Sequence, residues 1–234
     1  MGTMVCSNRN NEMRRILAVL SAIILSTVGC HLELTQDGDD NSMSFFITSE
    51  NIGRGGELGG LAGADAHCQF LADAAGAGNR SWRAYLSTST VNARDRIGQG
   101  PWYNVKGELI ARDLTDLHDN NDNIMRDNSY DESGGRIPGI DDEGTMHDML
   151  TGTQADGTVA FFDGSPGIEE QRAGDPATCR DWSGGGGRAR VGHFDSQRGN
   201  PGTLWNSAHF SRGCSQEEIE MNDGRGLFYC FASD

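Results

Sequence analysis

The chain of 234 residues carries 34 acidic and 19 basic side chains, which gives it a formal net charge of −15. This excess of negative charge repels phosphate backbones and anionic lipids, so it excludes nucleic acid as a partner and argues against a basic helix on a membrane surface. The 33 glycines predict many turns and few long helices.

The N-terminal segment has the order of residues of a secretion signal. Met13-Arg14-Arg15 supplies positive charge, and an apolar run follows from Ile16 to Val28. This run is shorter than the ~20 apolar residues that a membrane-spanning helix needs, and polar residues follow it directly. We therefore predict that residues 1–29 form a signal peptide that is removed on export, with Met13 as an alternative translation start.

Gly29 and Cys30 stand where this signal would be cleaved. A small residue followed by cysteine resembles the lipobox of bacterial lipoproteins, although Thr27 departs from the usual leucine. The resemblance implies that Cys30 carries the lipid, that residues 30–43 form a flexible tether, and that the protein is anchored in the cell envelope, at the outer membrane or cell surface. The membrane is then a partner only through the lipid anchor. The alternative is an ordinary secreted protein in which Cys30 is a stray thiol.

Order is expected to begin with a short strand from Ser44 to Thr48, which starts a domain spanning residues 44–234. A helix follows, because four residues recur at spacings of four, three and four and so share one face: Ala64, Cys68, Leu71 and Ala75. Asp65 in the first turn suits the helix dipole, and Gly76 predicts the end of the helix.

The rest of the chain predicts short strands and loops. The alternation from Trp82 to Leu86 predicts a strand, Asn92 to Ile97 a helical turn, and the Asp-, Asn- and Gly-rich residues 113–148 long loops. Further strand-like pieces are Thr158 to Phe162, Cys179 to Trp182, Leu204 to Trp205, His209 to Phe210 and Leu227 to Phe231. One helix and many short strands predict an α+β domain with long glycine-rich and acidic loops.

Four cysteines remain beyond Cys30: Cys68, Cys179, Cys214 and Cys230. An even number in an exported chain predicts two disulfides, and three connectivities are open. None of the four lies in a Cys-x-x-Cys arrangement, so neither a zinc ribbon nor a thioredoxin-like redox site is supported.

Several stretches between Phe45 and the end of the chain share their order with a known family: Phe46 to Ser49, Gly59 to Cys68, Trp82 to Ser87, Ala93 to Ile97, Gly100 to Asn104, Leu150 to Thr153, Asp156 to Thr158, Cys179 to Trp182, and Trp205 before Cys214 and Cys230. Together they resemble the C-type lectin-like fold, in the endostatin-like form found in bacterial surface lipoproteins of unknown function. The resemblance implies that Cys68 pairs with Cys230 and Cys179 with Cys214.

The sugar-binding members of this superfamily hold calcium with a Glu-Pro-Asn or Gln-Pro-Asp loop and a Trp-Asn-Asp strand. The chain has neither loop triplet, and Trp205-Asn206-Ser207 carries serine in place of the ligating aspartate. Calcium-dependent sugar binding of this kind is therefore not expected, and Trp205 is predicted to lie in the core. Asn206 and the pair Trp102-Tyr103, which follows Gly100-Pro101 in a turn and is predicted to be exposed, are the candidate ligand-binding residues.

The acidic segment offers a different cation site, because its carboxylates are the hard oxygen ligands that calcium prefers: Asp113, Asp116, Asp119, Asp122 and Asp127. Residues 119–123 begin like an EF-hand loop, yet Ile124 replaces the required glycine and Tyr130 the bidentate glutamate. The segment thus predicts a loose calcium site, with a solvated acidic loop as the alternative.

The histidines of the domain are scattered singly, at positions His67, His118, His147, His193 and His209, and only His193-Phe194-Asp195 places two ligand types close in sequence. Such spacing is weak evidence for zinc. The motifs of serine hydrolases, zinc proteases and phosphate-binding loops are absent, so no catalytic residue is predicted and the protein is not expected to be an enzyme.

These features predict a non-catalytic recognition domain, displayed at the cell surface by its lipid, that binds a glycan or an extracellular protein through its long loops. The first alternative is a structural envelope protein whose acidic loops bind cations. A hydrolase with an unrecognised pair of carboxylates is the second alternative.

Overall fold

The computed structural model describes residues 42–119, 123–165, 171–195 and 204–234. The predicted signal peptide, Cys30 and the tether up to residue 41 lie outside the described residues. Within the described ranges, no helix combines the length and apolar character needed to cross a membrane. These residues belong to one unit, Asn41–Asp234, which contains both helices and strands as the α+β prediction requires.

The elements are short, as the glycine content predicts. In chain order they are β1 (Phe45–Ile47), α1 (Gly60–Ala74), β2 (Trp82–Ala84), a 3₁₀ turn (Ala93–Asp95), β3 (Trp102–Tyr103), β4 (Leu109–Ala111), α2 (Leu114–Asp119), β5 (Asp148–Leu150), α3 (Cys179–Trp182), β6 (Arg190–His193), β7 (His209–Phe210), α4 (Gln216–Glu220) and β8 (Gly224–Ala232).

The strand β8 is central to a six-stranded sheet with the order β1-β8-β5-β6-β7, and β2 also pairs with β8. The C-terminal half of β8 pairs antiparallel with β1 and β2, so Cys230 has Phe46 and Ala84 as its register partners. The N-terminal half pairs in parallel with β5. Antiparallel pairing of β5 with β6 and of β6 with β7 completes this sheet, while β3 and β4 form a separate pair.

Both faces of β8 are buried. Phe228 and Cys230 belong to a cluster that includes the inward face of α1, whereas Tyr229 and Phe231 belong to a second cluster with Trp205. A strand that is covered on both faces shows a continuous apolar run instead of alternation. The predicted strand from Leu227 to Phe231 is therefore confirmed, with longer bounds.

The two disulfides are Cys68–Cys230 and Cys179–Cys214, with Cα atoms 5.7 and 5.6 Å apart. Of the three connectivities that the spacing leaves open, this is the one implied by the family resemblance. The first bond joins the apolar face of α1 to β8 inside the core, and the second joins α3 to the loop before α4.

The predicted helix is α1, and its inward face is close to the predicted one. The first three predicted positions are buried, but Ala75 lies beyond the helix end and is exposed, and Ala72 is the last buried residue. Gly76 follows with φ of 81°, the left-handed conformation that commonly terminates helices.

The segment from Cys179 to Trp182 does not form the predicted strand. All four residues have positive φ, between 50° and 63°, so α3 is a single left-handed turn. Thr178 caps the turn by accepting from the backbone N–H of Asp181, and the N–H of Leu58 donates to the carbonyl of Trp182 at 2.9 Å. Left-handed backbone is unfavourable for residues other than glycine, so the disulfide and these contacts must hold it.

Two other strand predictions are also wrong. Residues Thr158 to Phe162 make only isolated bridges, and Leu204 to Trp205 lies in a bend. In contrast, β5 and β6 arise from segments with no predicted strand. Both strands are three or four residues long, and such short segments rarely show a periodic pattern.

Candidate metal centre

Three histidines and one aspartate converge where β5, β6 and β7 lie side by side. Asp148 begins β5 and is the register partner of His193 at the end of β6, and such partners share one face of an antiparallel pair. His209 on β7 is the partner of Val191, which lies two residues before His193 and therefore on the same face. With His147, which precedes β5, these residues form the histidine–aspartate cluster.

Oδ1 of Asp148 is the centre of this cluster. The Nε2 atoms of His193, His209 and His147 lie 2.9, 3.3 and 3.5 Å from it. The Nε2 atoms of His193 and His209 are 2.9 Å apart, and the rings of His147 and His193 stack with centroids 4.2 Å apart. Four atoms that commonly bind metals therefore meet in one place.

The side-chain atoms that point away from the centre of the cluster also have partners. Nδ1 of His147 lies 3.2 Å from Oδ1 of Asp195, and Nδ1 of His209 lies 3.1 Å from the carbonyl oxygen of Phe210. Asn222 donates from Nδ2 to Oδ2 of the cluster's aspartate at 2.8 Å. Metal-ligating histidines usually donate the second ring N–H to a carboxylate or carbonyl in this way, which directs Nε2 toward the ion.

Three of the four side chains of the cluster are buried. The side chains of Asp148, His147 and His193 are 3%, 7% and 10% exposed, whereas that of His209 is 39% exposed. His209, on the edge strand β7, is therefore the member of the cluster that solvent contacts.

The surroundings of Asp148 and Asp195 favour the ionised forms of both carboxylates. Burial raises the pKa of Asp148, but the close histidine rings and Asn222 outweigh burial and hold the pKa well below its usual range. Burial likewise raises the pKa of Asp195, but the contact with His147, the hydrogen bond from the backbone N–H of Ile140 and the charge of His193 together outweigh burial and lower it. The contact with Asp148 raises the pKa of His209, while for His147 the two carboxylates outweigh burial and raise the pKa. The two carboxylates thus stabilise a cation at this place.

Hydrogen bonds satisfy this arrangement only in part. Oδ1 of Asp148 is buried and no hydrogen bond of regular geometry reaches it, although the nearby rings of His193 and His209 stabilise its charge. The contact between the Nε2 atoms of His193 and His209 requires one ring to donate and the other to accept. A single cation would instead accept lone pairs from all of these atoms. Zinc bonds of about 2.0–2.1 Å in a tetrahedron place ligand atoms about 3.4 Å apart. The three distances from Oδ1 of Asp148 to the Nε2 atoms, 2.9–3.5 Å, fit this spacing.

The first aspartates predicted to bind calcium have other partners. Asp113 accepts from the backbone N–H of Asp116 at 2.8 Å, at the start of α2. Asp116 forms an ion pair with Arg112 at 3.0 Å, and the hydrogen bonds from Arg112 lower the pKa of Asp116 to about 2. A carboxylate bound to arginine in this way is less available to a calcium ion.

The other predicted calcium ligands are spread along the chain. Asp119 ends α2, Asp122 lies outside the described residues, and Asp127 follows with its carbonyl oxygen accepting from the hydroxyl of Tyr130. In the part of the chain that the structure describes, one group of three ligating side chains has all its ligand atoms within 4.8 Å of one another, that of His147, Asp148 and His193, and His209 joins it through its contacts with Asp148 and His193. The structure therefore places the strongest candidate cation site outside the acidic segment 113–127.

The candidate ligand-binding residues are largely buried. Trp102 is 1% exposed and its Nε1 donates to the carbonyl of Ala232 at 3.1 Å, so its predicted exposure is wrong; Tyr103 is half-buried. Asn206 is 1% exposed and donates from Nδ2 to the hydroxyl of Tyr85 at 3.0 Å and to two backbone carbonyls. Neither Trp102 nor Asn206 presents its side chain to solvent, and Trp205 lies in the core as predicted.

Sequence reasoning missed the cluster because its members come from three separate segments. The spacing of His193 and Asp195 points to one member of the cluster only, because Asp195 contacts His147 and does not supply one of the four converging atoms. The adjacent His147 and Asp148 were the one further local signal. Neither signal indicates which strands become neighbours.

Comparison with protein-family models found no match, and a search of curated proteins found none either. The function of the chain is therefore inferred from the donor atoms, their spacing and their burial. Among the described residues, the histidine–aspartate cluster is the arrangement whose chemistry is most specific.

Proposed function

We propose that this protein binds a divalent transition metal, with zinc the best match, at the histidine–aspartate cluster. One observation carries the proposal: three imidazole nitrogens surround the buried Oδ1 of Asp148 within 3.5 Å. Imidazole suits zinc, copper, nickel and iron, whereas calcium and magnesium prefer oxygen ligands. Three histidines and one carboxylate match the number and kind of ligands in a tetrahedral zinc site.

The proposed role of the ion is non-catalytic. Zinc sites that catalyse keep one position for water or substrate, whereas four protein ligands fill a tetrahedral site. In this proposal His147, Asp148 and His193 hold the ion and His209, which contacts Asp148 and His193, takes the fourth position. An ion bound by all four side chains would fasten β7, an edge strand of two residues, to β5 and β6. Its binding free energy would then add to the stability of the folded state.

We propose the cell envelope as the setting of this site. The order of charged, apolar and cysteine residues from Met13 to Cys30 supports export and lipid attachment, and disulfides are typical of exported proteins. In this proposal the domain has the C-type lectin-like fold, and its lipid displays it as a recognition module for a glycan or an extracellular protein.

The metal proposal is tested on the purified protein after stripping with a chelator. We expect one zinc ion per chain by elemental analysis after reloading, and visible absorption typical of tetrahedral coordination when cobalt(II) is used. His193→Gln and Asp148→Asn should lose both signals. His67→Gln is the matched control, because His67 lies outside the cluster with Nε2 near the carbonyl of Glu50. Equal metal content in the wild type and His193→Gln would reject the proposal.

The anchoring proposal is tested by detergent-phase partitioning of the protein expressed in a bacterium. Cys30→Ala should move the protein to the aqueous phase, because the acyl chains supply its membrane affinity. Cys6→Ala, upstream of Met13, should leave partitioning unchanged. Detergent-phase recovery of the Cys30→Ala variant would reject lipid attachment at this residue.

A further inference from the structure

A groove lies on the opposite face of the β6–β7 pair from the metal centre. Side chains alternate along a strand, so Arg190 and its partner Phe210 point away from the face that carries Val191 and His209. Together with residues before β7 and from the segment 154–163, they line a cavity of about 500 Å³. This volume is within the ~300–1,000 Å³ of pockets that bind small molecules.

Arg190 supplies a fixed positive charge to this groove. Its Nε donates to Oγ of Ser207 at 3.1 Å, its Nη2 donates to the carbonyl of Ala208 at 3.2 Å, and its guanidinium lies 4.9 Å from the ring centroid of Phe210. Its Nη1 has no hydrogen-bond partner among the described residues. A guanidinium that is already held in place loses little conformational freedom when it binds a carboxylate.

Asp163 supplies a negative charge to the same groove. Its Oδ1 accepts from the backbone N–H of Ser165 at 2.9 Å, and its side chain is exposed. Asp163 and Arg190 line one cavity, yet within the described ranges no ion pair joins them. The groove therefore presents two opposite charges that interact electrostatically without forming an ion pair.

The remaining walls are mostly apolar. Phe161 is 49% exposed, and the side chains of Ala160, Leu204 and Ala208 line the same cavity. The chain as a whole has a net charge of −15, so its field repels a ligand that is purely anionic. A ligand with both charges and no net charge escapes this repulsion while matching the two charged groups.

We infer that this groove binds a small zwitterion with an apolar side chain, an α-amino acid or short peptide, whose carboxylate meets Arg190 and whose ammonium meets Asp163. The apolar side chain packs against Phe161 and Leu204. This inference does not rest on the metal proposal, because the groove and the histidine–aspartate cluster use opposite faces of the β6–β7 pair.

The test is calorimetric titration of the purified protein with four probes: leucine, leucyl-leucine, N-acetyl-leucine and leucinamide. At least one of the two zwitterions should bind, and the two blocked compounds should bind at least ~10-fold more weakly, since each lacks one charge-assisted contact. Arg190→Gln should abolish binding. Asp163→Asn should remove the preference for the zwitterion over N-acetyl-leucine. Asp141→Asn, which also changes an exposed aspartate but lies outside the groove, should change nothing.

Arg190 is half-buried, so Arg190→Gln can disturb folding as well as binding. Asp163 is exposed, so Asp163→Asn should leave folding intact and report on binding alone. Failure of both zwitterions to bind the wild type would overturn the inference, as would equal binding of leucine and N-acetyl-leucine. Binding of a neutral methyl glycoside that is unaffected by Asp163→Asn, without zwitterion binding, would assign the groove to a glycan and overturn it as well. The titration is repeated with His193→Gln, which lacks a proposed metal ligand. Unchanged zwitterion binding by this variant shows that the groove can be tested separately from the metal proposal.

Discussion

His193 faces Asp148 across the β5–β6 pair, with its Nε2 atom 2.9 Å from Oδ1 of the aspartate. Both residues lie on strands of the main sheet, and both side chains are buried. Because strands hold their side chains more firmly than loops do, this pair presents its donor atoms without reorganisation. It is the fixed part of the proposed zinc site, to which His147 and the half-exposed His209 are added.

Asp195→Asn should weaken zinc binding by ~10- to 100-fold, the usual effect of changing a group that orients a ligating histidine. The reason is that Oδ1 of Asp195 lies 3.2 Å from Nδ1 of His147, while Oδ2 accepts from the N–H of Ile140 at 2.6 Å. Asparagine keeps one acceptor but removes the charge. Competition with a chromogenic chelator measures the affinity. Asp142→Asn is the control from a neighbouring loop, and equal affinities of the two variants would contradict this role.

Zinc should raise the thermal midpoint of the wild type, and this rise should be absent in His193→Gln, because ligand binding to the folded state alone stabilises it.

Calcium tests the acidic segment separately. Its binding there would be weak, near the ~10⁻⁴ to 10⁻³ M of extracellular modules. A calcium-dependent rise that survives His193→Gln but disappears when Asp119, Asp122 and Asp127 are changed to Asn would place a second cation on that segment. No rise would leave the segment as a solvated loop.

Asp65→Ala should lower the free energy of unfolding by ~3 kcal/mol, the lower end of what breaking a buried ion pair costs. Asp65 binds Arg96 through both carboxylate oxygens, at 3.0 and 2.8 Å, and accepts from the backbone N–H of Ala84 at 3.0 Å. The side chain of Arg96 is 10% exposed and would lose this partner. Urea unfolding measures the change.

Asp73→Ala is the matched control on the same helix. Asp73 is exposed and accepts from Gln69 one turn earlier, so its loss should stay within ~0.5 kcal/mol. Asp65 is the sixth residue of α1, so its predicted place in the first turn is wrong and the helix dipole adds little. Similar losses for Asp65→Ala and Asp73→Ala would show that the ion pair with Arg96 contributes little to stability.

Removing Cys68–Cys230 by double substitution to alanine should destabilise the protein more than removing Cys179–Cys214. The sequence separations are 162 and 35 residues, and the chain-entropy model gives about 5 and about 4 kcal/mol for closing such loops. Denaturant unfolding of the two double variants gives the comparison. A larger loss from the second pair would contradict this order and would indicate that contacts held in place by Cys179–Cys214, and not loop entropy, dominate its contribution.

Helix α1 and strand β8 could be predicted because their signals are local. The recurrence of Ala64, Cys68 and Leu71 reflects one covered face of a helix, and the apolar run of β8 reflects a strand that is covered on both faces. The turn of α3 could not be predicted in this way. Its residues adopt positive φ because a disulfide to Cys214 and a hydrogen bond from Leu58 hold them, and both partners are distant in sequence.

The sequence by itself determined the acidic character, the α+β class, the first helix, the last strand and the presence of two disulfides. Only the tertiary structure decided that His193 contacts Asp148 and His209, and that Arg190 lies on the opposite face of the β6–β7 pair. The physical reason is strand register: a shift of one residue between β5 and β6 would send His193 to the opposite face. Register depends on how both faces of the whole sheet pack. The residues of three short, separate segments do not specify that packing by themselves.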